Sequence, residues 1–254
     1  MILGILGLSW LFEQLFKGAS FDSVTSSFVL GILSFILSVV MRHLAEELQG
    51  KWLTTLFVVI IIGGVMLAMI SNQNDQWWQF NLSFLGTHQA KNNWSFNTTL
   101  ILSALILLAL IDYLFVALRV YYGKSKRLLL LESLLMLLAV DLGAVGYFPN
   151  NARLHDIHTA VASYLVYLII VLIVSIKWLL PEVTRDFLMT SYTIGGLMLI
   201  QVIGFYGLDY LSLTVFELLS FMLAFSWIIL LFNHLERLIQ PKSSDEIYLL
   251  KIID

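Results

Sequence analysis

Two histidines and an aspartate open a long apolar run. Residues 146–174 read GYFPNNARLHDIHTAVASYLVYLIIVLIV. His155 and His158 stand at i and i+3, so a helix there presents both imidazoles on one face, with Thr159 beside them. Asp156 points about 100° away and suits the helix N-terminus, where negative charge is favoured. Imidazoles one turn apart, joined by a carboxylate from another helix, are a donor set for zinc, and Asp141 is the carboxylate nearest in sequence. Without a metal, the same groups are a general base and acid for a lipid headgroup. The third reading is that they only hydrogen-bond the adjoining loop into place. The spacing alone leaves open whether the protein is an enzyme, and whether its cofactor is a divalent metal or none.

Other ionisable residues fall at the same end of their apolar runs. Asp141 lies two turns before the loop that carries the histidines, Glu217 in the first turn of the last run, and Asp209 just before it. Ser83 and His88 belong to the long connection 72–97, NQNDQWWQFNLSFLGTHQAKNNWSFN. The expected site is therefore a polar pocket lined by Asp141, His155, His158 and Glu217, with Ser83 and His88 on its lid. His155, His158, Asp141 and Glu217 are its catalytic candidates, and His155, His158 and Asp141 its metal-binding ones.

The elements that must position these groups follow from composition. Of the 254 residues, 59% are hydrophobic and 12% charged, and the mean hydropathy is +0.90. Soluble domains carry about 25% charged residues, so an all-α polytopic membrane bundle is expected. Six segments reach the roughly 20 apolar residues that a crossing needs: 53–71, 98–122, 128–148, 157–180, 187–206 and 214–234. They are apolar all round and lack the alternation of a membrane β-barrel. Two weaker hydrophobic segments, 2–16 and 24–41, precede them as an N-terminal hairpin. After them RHLAEELQGKW sets Leu44, Leu48 and Trp52 on one stripe, as in a short helix on the inner membrane surface. This gives three regions: 1–52, the six-helix domain 53–234, and a tail 235–254. The start, MILGILGLSWLFEQLF, has no basic n-region and no small-residue cleavage site, so it reads as other than a cleaved signal peptide.

Lys and Arg are retained on the cytoplasmic side. Placing the hinge GKSKR (123–127) there gathers Arg42, Lys51, Arg119, Lys124, Lys126, Arg127, Lys177, Arg185, Arg237, Lys242 and Lys251 with it, against Lys91 and Arg153 opposite. The expected location is the plasma membrane, with the C-terminus in the cytoplasm. The same hinge brings Arg119 beside Glu132 as an ion pair, while Asp112 reads as deeper, near mid-membrane. Gly195–Gly196, Gly204 and Gly207 read as sites of close helix packing.

Composition and motifs also exclude classes. There is no cysteine, hence no disulfide, thiolate metal site or cysteine nucleophile. A net charge of −3 gives no reason to expect nucleic acid, and there is neither a Gly-rich phosphate loop nor a G-x-S-x-G elbow. His43 and His234 lie at the opposite end from His155 and His158, so one haem cannot use both pairs. The expected partners are membrane lipids and, through the tail, a cytoplasmic protein; a non-catalytic subunit or a small-solute transporter is the alternative class.

Three stretches carry a resemblance: NLSFLGTHQAKNNWSFNTTLILSALILL (81–108), GYFPNNARLHDIHTAVASYLVYL (146–168) and TVFELLSFMLAFSWIILL (214–231). Their order resembles the Frag/DRAM/Sfk family of six-span membrane proteins and its bacterial relatives. The elements that match are Ser83, Gly86 and Asn97 around the second span, His155 or His158 at the start of the fourth, and Glu217 early in the last. The resemblance covers roughly 53–234 and implies a lipid-facing role on the non-cytoplasmic side, without a set chemistry.

Overall fold

A computed structural model describes residues 22–46, 49–72 and 76–239. The hydrophobic segment 2–16 and the tail from 240 onward lie outside the described residues. The chain divides into two units between Gln49 and Gly50. In the first, α1 (Ser23–Glu46) starts where the Asp22 carboxylate caps the amides of Val24 and Thr25, each at 3.0 Å, and takes a 2.6 Å bond from the Thr25 hydroxyl. That satisfies donors which the first helical turn leaves free. Residues 42–46 complete this helix and Gly50–Trp52 begin the next, so the stretch 42–52 is not a surface helix of its own.

The second unit holds α2 (Gly50–Ser71), α3 (Asn93–Tyr122), α4 (Lys126–Tyr147), α5 (His155–Leu179), α6 (Arg185–Val202) and α7 (Leu213–Ile239). A π-helical turn, Ile203–Gly207, continues α6, and two 3-10 turns, Trp77–Gln79 and Leu82–Gly86, lie between α2 and α3. All six helices are long and apolar enough to cross a bilayer, within a few residues of the segments expected from hydropathy. α7 runs on to Ile239, so 235–239 belong to it rather than to a tail. Helices consecutive in the chain pack together, and α7 closes the bundle onto α2, α3 and α5. The core is aliphatic with few large anchors: Leu110, Leu114, Phe115, Leu131, Leu172, Trp227 and Phe232 are all essentially solvent-free.

One end of the bundle carries the α3–α4 hinge and the α5–α6 loop; the other carries 76–92, 148–154 and 208–212. We call these the basic end and the cap end. At the basic end Gly123 takes φ +70, a left-handed conformation open to glycine, and the Ser125 hydroxyl caps the Arg127 amide at 3.3 Å. The tight turn lays α4 back along α3 and joins the Arg119 guanidinium to the Glu132 carboxylate. Glu132 is buried and the Arg119 side chain is 41% exposed. Removing the cation strands a buried carboxylate, so Arg119→Ala should cost about 1–3 kcal/mol. Thermal unfolding in detergent should show that loss, with Glu132→Gln added to Arg119→Ala recovering most of it; additive losses would refute the pairing.

Asp112 is exposed on α3, ten residues before the helix ends at Tyr122. Thr99 packs on Gly64, where an added Cβ would lie 2.2 Å from its hydroxyl, so Asp112, thirteen residues further along, comes level with Lys51 in the first turn of α2.

Candidate functional site

The cap end is assembled around Glu217. Its carboxylate accepts hydrogen bonds from the amides of Leu82 and Ser83, and from the Ser83 hydroxyl at 3.0 Å. It thus supplies acceptors to the start of the 3-10 turn Leu82–Gly86, whose first amides have no partner within the turn. Four further bonds hold the connecting segments down. Thr214 Oγ1 donates to Trp78 O at 2.7 Å, and Asn97 Nδ2 to Gly86 O at 2.9 Å. The His88 amide donates to Asn151 Oδ1 at 3.1 Å, and the ring nitrogen His88 Nδ1 lies 3.3 Å from Asn93 Nδ2. Asn97 does double duty: its side chain occupies the space that a Cβ on Gly86 would need, and its carbonyl lies 2.7 Å from where a Cβ on Gly146 would be. The cap, α3 and α4 meet at this one residue.

Beneath the cap lies a cavity of about 260 Å³ bounded by α2 to α7. Its polar lining comes mainly from the cap end, including Asn81, Ser83, Asn150, His155, His158 and Glu217. Deeper in, the walls are Phe57, Ile61, Leu107, Ile169, Phe225 and Ile228. Glu217 to Ile228 spans about 16 Å of helix rise. The result is a cavity with a polar head and an apolar shaft.

His155, His158, Glu217 and Ser83 all line this one cavity, although they come from α5, α7 and the cap. His155 is exposed, with Nδ1 2.7 Å from Asn150 Oδ1. His158 is 4% exposed, with Nδ1 2.6 Å from Phe148 O. Asp141 is not among the lining residues. It is buried on α4, roughly 60° round the helix from the face that gives Leu138, Leu142 and Val145 to the wall, and its Oδ2 has no hydrogen-bond partner. His88 and Asp209 lie on exposed loop positions outside the lining. Among the described residues no three His, Asp or Glu side chains are grouped closely enough to hold a metal ion; His155, His158 and Asp141 form no such cluster.

Two cavity residues escaped the sequence reading. Asn81 stands at the N-cap position of the 3-10 turn Leu82–Gly86, makes no side-chain bond to it, and lines the cavity. Asn150 orients His155. The signal for Asn150 was the loop spacing: it stands five residues before a histidine that opens a helix. At the basic end, His234 is buried and stacked on Phe187 at 4.4 Å, in a packing role.

These features define a multi-pass α-helical membrane protein with a capped cavity inside the bundle. A family model described as a protein of unknown function (DUF998) matches residues 63–234, two thirds of the chain, and the protein belongs to that family. The matched region contains the cap, the cavity's polar end and all of α3 to α6. No curated protein and no solved structure matches the chain.

Proposed function

We propose that the protein binds a membrane amphiphile in its intrabundle cavity and serves lipid handling or lipid sensing at the non-cytoplasmic face. One observation carries this reading: the cavity is polar under the cap and apolar along its shaft, which is the polarity of a lipid placed head-up. A small-solute path would need polar groups along its whole length, and the shaft has few. The resemblance to Frag/DRAM/Sfk proteins supports the same assignment. His155 and His158 are held through Nδ1 by the Asn150 side-chain oxygen and the Phe148 carbonyl, which fixes both rings at the polar end.

The reading places the cap outside the cytoplasm and the basic end within it, following the distribution of Lys and Arg. Because the chain has no cysteine, single replacements report orientation directly. Arg153→Cys should react with a membrane-impermeant maleimide on intact cells, and Ser125→Cys only after permeabilisation; the opposite pattern overturns the orientation.

Binding is tested by native mass spectrometry of protein released from lipid nanodiscs. Retention of one amphiphile per protein is expected, and it should fall when Ala162→Trp fills the shaft beneath the cap. Equal retention in that variant, with unfolding temperature unchanged, would show that the lipid binds elsewhere.

A further inference from the structure

Hydrogen-bond accounting at the polar end says which headgroup fits. The Nδ1 of His158 faces the carbonyl of Phe148 at 2.6 Å. A carbonyl only accepts, so Nδ1 carries the proton, and in the neutral ring Nε2 is left as an acceptor. That Nε2 is buried without a partner, on a residue that lines the cavity. Asn81 Oδ1, on the cap above, is a second buried acceptor without a partner. Glu217 adds a carboxylate, which accepts only and is already served by Leu82 and Ser83. Among the described residues no lysine or arginine lines the cavity.

The unpartnered buried groups at the polar end are therefore acceptors, set beside the Glu217 carboxylate, with no lysine or arginine in the lining to meet an anion. Buried acceptors are completed by donors, and a phosphate or carboxylate head would bring only further acceptors and a like charge. We infer that the cavity selects an uncharged, hydroxyl-headed amphiphile of the monoacylglycerol class over phosphate- or carboxylate-headed lipids, its hydroxyls donating to His158 Nε2 and Asn81 Oδ1. The volume of about 260 Å³ lies just below the usual range of about 300–1,000 Å³ for small-molecule sites and suits the head and upper part of one chain rather than two. This inference rests on the proposed amphiphile site.

The test uses the full chain in phosphatidylcholine nanodiscs and three probes with the same oleoyl chain: 1-monooleoylglycerol, oleate and oleoyl lysophosphatidate. Monooleoylglycerol should bind about a hundredfold more tightly than either anion, the scale of one desolvated like-charge contact. Thr159→Arg, at an exposed lining position, adds a cation to the polar end and should shift the preference toward lysophosphatidate by at least about tenfold without loss of fold. His158→Ala should weaken monooleoylglycerol about tenfold and leave the anions unchanged. Anions binding as well as monooleoylglycerol to the unaltered protein would overturn the headgroup assignment while leaving the amphiphile site standing. Failure of all three to bind would overturn both.

Discussion

Glu217→Ala should detach the cap from α7, with a loss of about 3 kcal/mol. The substitution leaves the Leu82 amide, the Ser83 amide and the Ser83 hydroxyl without their acceptor, and Leu82 and Ser83 are both buried. Each buried donor left unmade costs about 1–3 kcal/mol. Relief of the cost of desolvating the carboxylate offsets part of the sum, and so does water entering the vacated space. For a protein of this size the net corresponds to a fall of about 6–12 °C in unfolding temperature. The loss should be local first. Trp77 and Trp78 sit in the cap and report its release by fluorescence, and protease cleavage within 76–92 should precede unfolding of the helices. Glu217→Gln is the sharper variant. It keeps the volume but turns an NH2 toward groups that already donate, so it should rescue less than half of the loss. A Glu217→Gln protein as stable as the parent would show that the carboxylate is not the cap's anchor.

Gly146→Leu should cost more than about 3 kcal/mol and loosen α4 from α3. A Cβ at Gly146 would lie 2.7 Å from the Asn97 carbonyl, 3.0 Å from Leu100 Cβ and 3.1 Å from Ile101 Cγ1. The first of these is main chain, so no side-chain rotation relieves it. Overpacking by even one carbon typically costs about 1–3 kcal/mol, which sets the expectation for Gly146→Ala. The larger leucine must part the helices. Because Asn97 also holds Gly86, moving α3 disturbs the cap, and monooleoylglycerol binding should fall with stability. Gly63→Ala is the control. Nothing lies within 4 Å of its added Cβ, so it should be neutral or gain up to about 1 kcal/mol from helix propensity. If the two alanine variants behave alike, close approach is not what Gly146 provides.

These glycines show where sequence reading succeeds and where it stops. Gly195 meets Ile173 Cγ2 at 2.8 Å and so permits a close approach, as expected; its neighbour Gly196 has nothing within 4 Å. The tightest contacts between α-helices fall at Gly64 and Gly146, which nothing in their local sequence distinguishes from Gly63 or Gly143. A glycine advertises permission for close packing, and only a neighbouring helix brought against it makes use of it.

The same division runs through the site. Span number and limits were legible because transfer to hydrocarbon depends on composition, summed over about 20 residues. The Arg119–Glu132 pair was legible because a three-residue hinge leaves two antiparallel helices little freedom. His155 and His158 were legible as a pair, since helical periodicity puts i and i+3 on one face. Azimuth was not legible. A helix that is apolar all round carries no moment to say which side turns inward; hence Asp141, read as a lining group, lies beside the cavity wall instead. Nor could the sequence say that Glu217 would spend its oxygens on Leu82 and Ser83, 135 and 134 residues away. Local spacing and hydropathy determined the membrane class, the helices and the histidine face. The choice of partners across the bundle, which makes Glu217 an anchor and leaves the buried His158 Nε2 without a partner, was decided by tertiary packing, because it depends on the simultaneous fit of six helices and a cap.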